Sequence, residues 1–297
     1  MAWLTCGSST PTRIAMPPIA STDAVPEPES GHADDPPAPG FRGSLTVQLA
    51  ERRPFGLIVT PGQARSSIFD IPTHLSRAWV RRYRVVVLRG FRHGLGEPPS
   101  LASFTAQWLG ETSSQQISIQ HVTPLTRHRA LDWAGDDHPS APEFVLFACQ
   151  ETATTPRCCT RFVDASAIAL QLDEATFHRW LGVSISESRD HGVHDGVASW
   201  PLLVTDPRDG APVVRYKWLP PGLDGLPREP WLHGADDEAA SPIRRLLHGI
   251  LRLPVYHFVH GWEDGDVLIA DNWRLLHGHD AWRSDADTQL WRAHVTR

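Results

Sequence analysis

The pattern of apolar and polar residues predicts a chain built mainly from short β-strands. The segments RVVVLRGF at 84–91 and FVLFACQE at 144–151 are continuous apolar runs rich in β-branched and aromatic residues. Such runs are typical of strands that are buried on both faces. Shorter segments of strand character lie at 44–50, 55–61 and 289–297. We therefore expect several strands that cross a common core.

Helical and turn signals separate these strands. Apolar residues at helical spacing predict a helix over 71–83, and a second helix is predicted over 240–253 with its start at Ser241 and Pro242. The segment 160–172 begins extended and is expected to become helical after Asp164. These helices are few in comparison with the strands.

Two further segments carry turn residues between apolar runs. The pair Asp209 and Gly210 predicts a β-hairpin within 202–218. The segment 255–278 is predicted to form one strand, a turn at 264–265 and a second strand. Neither segment alternates strand with helix in the way that a parallel sheet requires.

The order of these elements favours a mainly β fold with flanking helices. The sequence shows no βαβ alternation, no GxGxxG after a strand and no internal repeat, which favours a barrel or jelly roll over a Rossmann sheet. We expect one domain over 43–297. Residues 1–42 are rich in Pro, Ser, Ala and Asp, and they bury too little apolar surface to fold alone, so a disordered or extended N-terminal tail is expected.

Composition excludes several classes of function. The net charge of -6 argues against a nucleic-acid partner, because phosphate binding needs a basic surface. No apolar run approaches the ~20 residues of a membrane span. The four cysteines include no CxxC spacing, so we expect neither a disulfide framework nor a structural zinc site, and we expect a cytoplasmic location. The sequence leaves the oligomeric state open.

The segment 262–282 contains the richest set of candidate functional residues. A charged turn leads into a short apolar strand, which is followed by Asp271 and Asn272 and then by His277. A histidine at a strand end can point into a small barrel, and neutral imidazole is a good ligand for iron. These residues alone leave two readings open: a metal ligand or a hydrogen-bonded structural histidine.

This segment resembles the C-terminal part of the taurine dioxygenase-like (TauD/TfdA) family of iron(II)/2-oxoglutarate-dependent oxygenases. Members show a tryptophan, a GD turn, a short strand, a DN-type pair and LHGR. His277 matches the distal histidine ligand, and Arg292 matches an arginine near the 2-oxoglutarate carboxylate or the substrate. A planar guanidinium suits a carboxylate. This chain departs from the pattern at Thr288, where some relatives carry arginine, and at His279, which stands in place of the arginine of LHGR.

Three other segments support the resemblance, which covers roughly residues 45–297. The stretch VVVLRGF resembles an early strand of the family, and 199–216 resembles its HPVVRTHPETG stretch. The segment 142–165 resembles the strand pair in which a threonine contacts 2-oxoglutarate, and Thr160 matches that threonine. The resemblance implies a cupin-like jelly roll, the double-stranded β-helix, with iron(II) and 2-oxoglutarate as cofactors. It also implies dioxygen as co-substrate and a small amino-acid-like or natural-product substrate.

The first metal motif of the family, HxD or HxE, is incomplete in this chain. Counting back 26 residues from Thr160 reaches Ala134, so that Asp136 matches the carboxylate ligand and the motif reads AxD. Alanine cannot coordinate a metal. Three readings remain open: an engineered His-to-Ala change, a rearranged ligand set that uses Asp136 or Asp137 with His138 and His277, or a pseudoenzyme.

Other classes of function remain possible from the sequence. The chain could be a metal-free, non-catalytic binding protein on the same fold. A cupin that does not use 2-oxoglutarate usually clusters its histidines on adjacent early strands, whereas the candidates here are about 140 residues apart. A zinc hydrolase would need HExxH or an equivalent motif, which is absent. Arg89, Arg215 and Arg283 are candidates for binding an acidic group, the alternative being solvent-facing charge.

Overall fold

The structure, a computed structural model, describes residues 12–15, 45–64, 66–95, 98–109, 116–122, 131, 142–151, 159–187, 198–218, 231–234, 237–279 and 289–296. The strands in these residues are β1 (Thr12–Ala15), β2 (Thr46–Glu51), β3 (Leu57–Pro61), β4 (Val85–Leu88), β5 (Gln116–His121), β6 (Phe144–Glu151), β7 (Cys159–Asp164), β8 (Ser184–Glu187), β9 (Ala198–Pro201), β10 (Leu203–Thr205), β11 (Pro212–Val214), β12 (Trp231–His233), β13 (His257–Gly261), β14 (Val267–Asp271), β15 (Leu275–His279) and β16 (Gln289–Thr296). The α-helices are α1 (Thr73–Tyr83), α2 (Pro98–Leu109), α3 (Ala165–Leu170), α4 (Glu174–Leu181) and α5 (Asp237–Ile250).

Two sheets form the framework of the domain. The larger has eight strands in the order β1-β2-β3-β4-β14-β6-β16-β5, and a three-stranded sheet has the order β13-β7-β15. All neighbours in both sheets are antiparallel except the parallel pair of β3 and β4. Strand β14 inserts between β4 and β6, although it follows them by more than a hundred residues in the chain. Long-range antiparallel pairing of this kind is typical of a jelly roll.

The central strands of the larger sheet are buried on both faces, as the continuous apolar runs predicted. In β4, Val86 and Leu88 pack in one cluster with Val80 of α1 and Trp108 of α2. The intervening Val85 and Val87 belong to a second cluster on the opposite face. Side chains alternate between the faces of a strand, so an apolar run supplies both layers at once.

We call the second cluster the barrel interior, because it contains residues of both sheets. Its buried members are Ile58, Val85, Val87, Val122, Val145, Phe147, Cys149, Phe162, Phe258, Trp262, Leu268, Ala270, Leu275 and Leu290. Each large apolar side chain buried here contributes about 1.5–3 kcal/mol to folding. The outer face of the β13-β7-β15 sheet packs on a third cluster, to which α3 and α5 contribute.

Two predicted elements have wrong boundaries. Helix α5 begins at Asp237, before the predicted start, and contains Pro242. Ala240 is buried in the third cluster, and such packing stabilises helical residues that a local start signal would leave outside.

The second predicted strand of 255–278 is divided into β14 and β15, which lie in different sheets. A turn closed by the Arg274 N–H and the Asp271 carbonyl separates them. Helices α2 and α4 were not predicted at all.

Two further expectations concern the ends and the environment of the chain. Residues 12–15 pair with 46–49 as β1 and β2, while most of 1–42 lies outside the described residues, so the domain boundary near 43 stays a prediction. Among the helices in the described ranges, none has the length and apolar character needed to cross a membrane.

Candidate active site

Polar side chains point into one part of the barrel interior. Leu275 lines the interior from β15, so the two-residue alternation of a strand places His277 and His279 on the same inward face. Leu290 does the same for β16 and places Arg292 and His294 inward. The Phe147 ring packs against both His277 and His279, and Arg292 lies directly opposite Phe147, so the two strands bring these side chains together.

His277 has the environment expected of a neutral imidazole. It exposes 8% of its surface, and it forms no hydrogen bond with any residue of the described part of the chain. Its ring lies roughly parallel to that of Phe162, with centroids 6.1 Å apart, and edge-on to Phe147 at 5.7 Å. Burial lowers the pKa of this imidazole well below its ordinary value, and the neighbouring His279 lowers it further. The ring therefore keeps a nitrogen lone pair that a metal can accept.

The hydroxyl of Thr160 lies between two ring nitrogens. Trp262 donates its indole N–H to Thr160 Oγ1 at 2.8 Å, and His279 Nδ1 lies 2.8 Å from the same oxygen. Thr160 on β7 is directly opposite His279 on β15, and the residue is completely buried. The indole of Trp262 is itself held edge-on against His260, with ring centroids 4.6 Å apart. The position of the hydroxyl is thus fixed by the sheet and by an aromatic neighbour.

Arg292 supplies positive charge to this part of the interior. It lies opposite Phe147 on β6 and Gln120 on β5, and its Nη2 donates to Gln120 Oε1 at 2.6 Å. Burial, followed by the charge of this guanidinium, lowers the pKa of His279 to about 3 and that of His294 to about 4. No carboxylate from the described residues contributes to these shifts. One cation beside three neutral imidazoles favours an anionic ligand.

The DN pair before β15 has a positioning role. The Asn272 side-chain amide donates to the carbonyl of Pro142 at 2.8 Å, and the Asn272 backbone N–H donates to that of Glu143 at 3.1 Å. These bonds join the turn before β15 to the chain just before β6. The strand that carries His277 is therefore connected to residues 142–143, which follow the incomplete first motif in the chain.

An ionic network fixes the same turn to the β10–β11 hairpin. Arg208 donates to both carboxylate oxygens of Asp271 at 2.8 and 2.9 Å and to Asp206 at 2.6 and 2.8 Å. Arg274 donates to Asp206 at 2.7 Å. Both carboxylates are almost completely buried, so the network is a structural support for β15.

Two arginines that the sequence suggested for binding an acidic group have other roles. Arg89 donates to both oxygens of Asp266 at 2.8 and 2.7 Å and to Glu263 at 2.7 Å. Arg215 is 0% exposed and donates to the backbone carbonyls of Asn272 and Trp273. Arg215 therefore neither faces solvent nor borders an opening, because burial and backbone acceptors hold it in the core. Arg283 lies outside the described residues.

The structure brings together three of the four site residues that the sequence predicted. His279 contacts both Thr160 and His277, and Arg292 lies opposite Phe147, whose ring packs against both imidazoles, so the three residues share one part of the barrel interior. The fourth, Asp136, lies outside the described residues, as do Ala134, Asp137, His138 and Thr288, so the incomplete first motif stays a prediction.

Sequence reasoning missed two polar residues near Arg292, the half-buried His294 and the exposed Gln120. His294 follows Arg292 by two positions on β16, and Gln120 lies opposite Arg292 on β5. The two-residue alternation of a strand after Arg292 could have indicated His294. Nothing in the sequence indicated Gln120, because strand pairing alone places it there.

Known proteins are similar in sequence to this chain over most of its length. The model of the "Taurine catabolism dioxygenase TauD, TfdA family" matches residues 62–294. A tyrosine isonitrile desaturase of Pseudomonas aeruginosa is 26% identical over 257 residues, which cover 81% of this chain and 87% of that protein. A 3-((Z)-2-isocyanoethenyl)-1H-indole synthase of Fischerella ambigua is 25% identical, with 85% and 96% covered.

Solved structures share the fold. The crystal structure of PvcB from Pseudomonas aeruginosa has a TM-score of 0.66 at 22% identity and covers 89% of this chain and 95% of that one. The structure of AAD-2 with Mn(II) and N-oxalylglycine has a TM-score of 0.63 at 16% identity, with 84% and 97% covered. These likenesses confirm the predicted double-stranded β-helix with flanking helices. The family match spans most of the chain, and the chain therefore belongs to the TauD/TfdA family of iron(II)- and 2-oxoglutarate-dependent oxygenases.

Proposed function

We propose that this oxygenase acts on a small, amino-acid-derived natural product, and specifically that it desaturates an isonitrile made from an aromatic amino acid. The relatives from Pseudomonas aeruginosa, Erwinia amylovora and Fischerella ambigua support the substrate class, since their names describe isonitrile desaturation or an isocyanoethenyl product. The observation that carries the chemistry is the buried His277 ring between Phe147 and Phe162, with Arg292 opposite Phe147 on the neighbouring strand.

Among the described residues, no group of three His, Cys, Asp or Glu side chains could hold a metal ion, and His277 is the one candidate iron(II) ligand that they supply. His277 offers a neutral imidazole whose nitrogens make no hydrogen bond within the described ranges, and its two aromatic neighbours cannot compete as ligands. We assign His277 and Asp136 as the protein ligands of the iron. Imidazole and carboxylate are the ligands of the two-histidine, one-carboxylate sites of iron oxygenases.

Thr160 and Arg292 are assigned to 2-oxoglutarate. The guanidinium of Arg292 provides the charge for the carboxylate remote from the keto group, and the hydroxyl of Thr160 provides a hydrogen bond. Phe147 and Phe162 pack against the His277 ring, and apolar side chains in such positions lower the local dielectric constant, which would strengthen both interactions. When bound, iron(II) and 2-oxoglutarate would supply oxidation by dioxygen, one oxygen atom entering succinate as the keto acid loses carbon dioxide and the other leaving as water with two hydrogen atoms of the substrate.

Ala134 bears directly on this function. With alanine at the first position, Asp136 and His277 are the only matched ligands that remain, and we expect weak iron binding and little turnover. His138 with Asp136 or Asp137 would offset this loss if the ligand set is rearranged. The second candidate function, a metal-free binding protein on the same fold, follows if neither arrangement holds iron.

The test compares this chain with its Ala134→His variant. Iron content of the purified proteins and iron-dependent succinate formation are measured together, with a tyrosine-derived isonitrile as substrate. We expect higher iron occupancy and faster succinate formation in the variant, and loss of two hydrogen atoms from the substrate by mass spectrometry.

Three outcomes would count against specific parts of the proposal. Equal and robust activity in both proteins would exclude the ligand set assigned above. Gain of an oxygen atom by the substrate would replace desaturation with hydroxylation. Absence of iron and of succinate in both proteins would favour the binding protein.

Two accompanying properties are proposed on composition alone. The net charge of -6 supports a function without nucleic acid. The cysteine spacing supports a cytoplasmic location.

A further inference from the structure

The hydrogen bonds around Thr160 restrict where its hydroxyl proton can point. Trp262 can only donate, so its indole N–H occupies one lone pair of Thr160 Oγ1. His279 Nδ1 lies 2.8 Å from the same oxygen, on the strand directly opposite. The proton of the hydroxyl is therefore either given to His279 or available to a third group, and His279 decides between the two.

The decision depends on which ring nitrogen of His279 carries the proton. A neutral imidazole carries one, on Nε2 or on Nδ1. With the proton on Nε2, Nδ1 accepts the hydroxyl proton of Thr160. With the proton on Nδ1, the imidazole donates to Thr160, both lone pairs of Oγ1 then receive N–H groups, and the hydroxyl proton points elsewhere.

The geometry points to His279 as a positioning residue that turns the Thr160 hydroxyl into a hydrogen-bond donor for the distal carboxylate of 2-oxoglutarate. This inference rests on the proposed function, which assigns Thr160 and Arg292 to that carboxylate. A carboxylate only accepts hydrogen bonds, so it needs the hydroxyl proton that one tautomer provides and the other withholds. The change is neutral overall, because one proton leaves Nε2 and one arrives at Nδ1.

The histidine at position 279 also distinguishes this chain from the LHGR pattern of the family, which has an arginine at that position. An arginine here, as in LHGR, could only donate to Thr160 and would leave no choice of state. Histidine allows two states. The keto acid would then select the Nδ1-protonated one, because only that state leaves the Thr160 hydroxyl proton free to bond the anion.

Binding measurements on matched variants test the role of Nδ1. Asparagine at 279 places its amide near the position of Nδ1, whereas glutamine reaches toward Nε2 and leucine carries no polar atom. The dissociation constant of 2-oxoglutarate is measured by calorimetry with Mn(II), in this chain and in its Ala134→His variant. We expect His279→Asn to bind within about threefold of the parent, and His279→Gln and His279→Leu, which supply no N–H at the position of Nδ1 to direct the hydroxyl proton toward the anion, to bind about tenfold more weakly.

A double-mutant cycle separates positioning from simple structural damage. Thr160→Val removes the hydroxyl at similar volume, and His279→Leu should then cost little more on that background, because both changes remove the same hydrogen bond. Arg179→Met, at an exposed position on α4, serves as the control. Circular dichroism verifies that each variant is folded.

The tautomer is read directly by ¹⁵N NMR of labelled histidine, with zinc(II) as a diamagnetic metal. The His279 signals are assigned by their absence in His279→Asn. We expect the Nε2-protonated ring without keto acid and the Nδ1-protonated ring with N-oxalylglycine.

The results have distinct meanings. Unchanged binding in His279→Leu, additive losses with Thr160→Val, or the same tautomer in both states would overturn this inference while leaving the proposed function intact. Failure of 2-oxoglutarate to bind either this chain or Ala134→His would overturn both.

Discussion

Removing the charge of Arg208 tests how the turn before β15 is held. The guanidinium makes hydrogen bonds to two carboxylates that are almost completely buried, Asp206 and Asp271. In Arg208→Met the apolar stem remains and the charge is lost. Asp206 keeps its bond from Arg274, but Asp271 loses both of its bonds to Arg208. Leaving one member of a buried ion pair without its partner costs about 3–5 kcal/mol, and we expect a loss of that size in the free energy of unfolding.

The difference in unfolding free energy between the parent and Arg208→Met is expected to depend on pH. Burial alone would raise the pKa of Asp206, but the hydrogen bonds from Arg208 and Arg274 outweigh it and hold that pKa well below its ordinary value. The ionised Asp206 therefore contributes its full stabilisation to the parent above about pH 4, and this stabilisation is lost as pH falls through the folded-state pKa. Burial already raises the pKa of Asp271, and loss of Arg208 raises it further. In the variant, protonation of Asp271 removes the cost of a buried, unpaired charge. The difference in unfolding free energy between the two proteins should therefore shrink as pH falls from 7 to 4.5.

Urea denaturation followed by circular dichroism at pH 7 and pH 4.5 measures both effects. Arg179→Met is the matched control, because Arg179 lies exposed on α4, and a change there should stay within about 0.5 kcal/mol. A loss below about 1 kcal/mol in Arg208→Met at pH 7 would refute the reasoning from a buried ion pair. A difference in unfolding free energy between the parent and Arg208→Met that grows as pH falls would also refute it.

Three other changes probe the site and the core. Arg292→Lys should weaken 2-oxoglutarate binding about tenfold or more without loss of stability, because lysine lacks the planar fork; calorimetry with Mn(II) checks this, and equal affinity would contradict it. Gly56→Ala should cost about 2–4 kcal/mol in urea unfolding, since a Cβ there would lie 2.6 Å from the Phe258 ring at a φ of 109°; Gly94→Ala, with open space around it, should cost only about 1 kcal/mol, and equal losses would argue against the clash. Leu268→Ala should cost about 2–5 kcal/mol in the same assay, because the residue is completely buried in the barrel interior, and a loss under 1 kcal/mol would place it outside the core.

The elements of this protein were predictable where the local pattern was strong. The apolar runs that became β4 and β6 are buried on both faces, and the hairpin around Asp209 and Gly210 forms as predicted. Helix α5 shows the limit of such reasoning. Its start at Asp237 depends on burial against other elements, which a cap signal at Ser241 does not express.

The candidate site was predictable only in part. His277, Thr160 and Arg292 were identified by resemblance, and the structure places them in one region. The roles of Asn272 and Arg215 could not be read from their neighbours in the chain, because their partners are backbone carbonyls that only folding brings near. The same holds for Gln120 beside Arg292.

The sequence by itself determined which residues are apolar, which alternate along a strand and which carry chemistry, because these properties belong to single residues and short segments. Tertiary structure decided which of them meet. Strands far apart in the chain pair across two sheets, and that pairing sets His279 against Thr160 and turns Arg292 toward the imidazoles. Only in that arrangement does burial keep the imidazoles neutral beside a cation, because water no longer screens the charge.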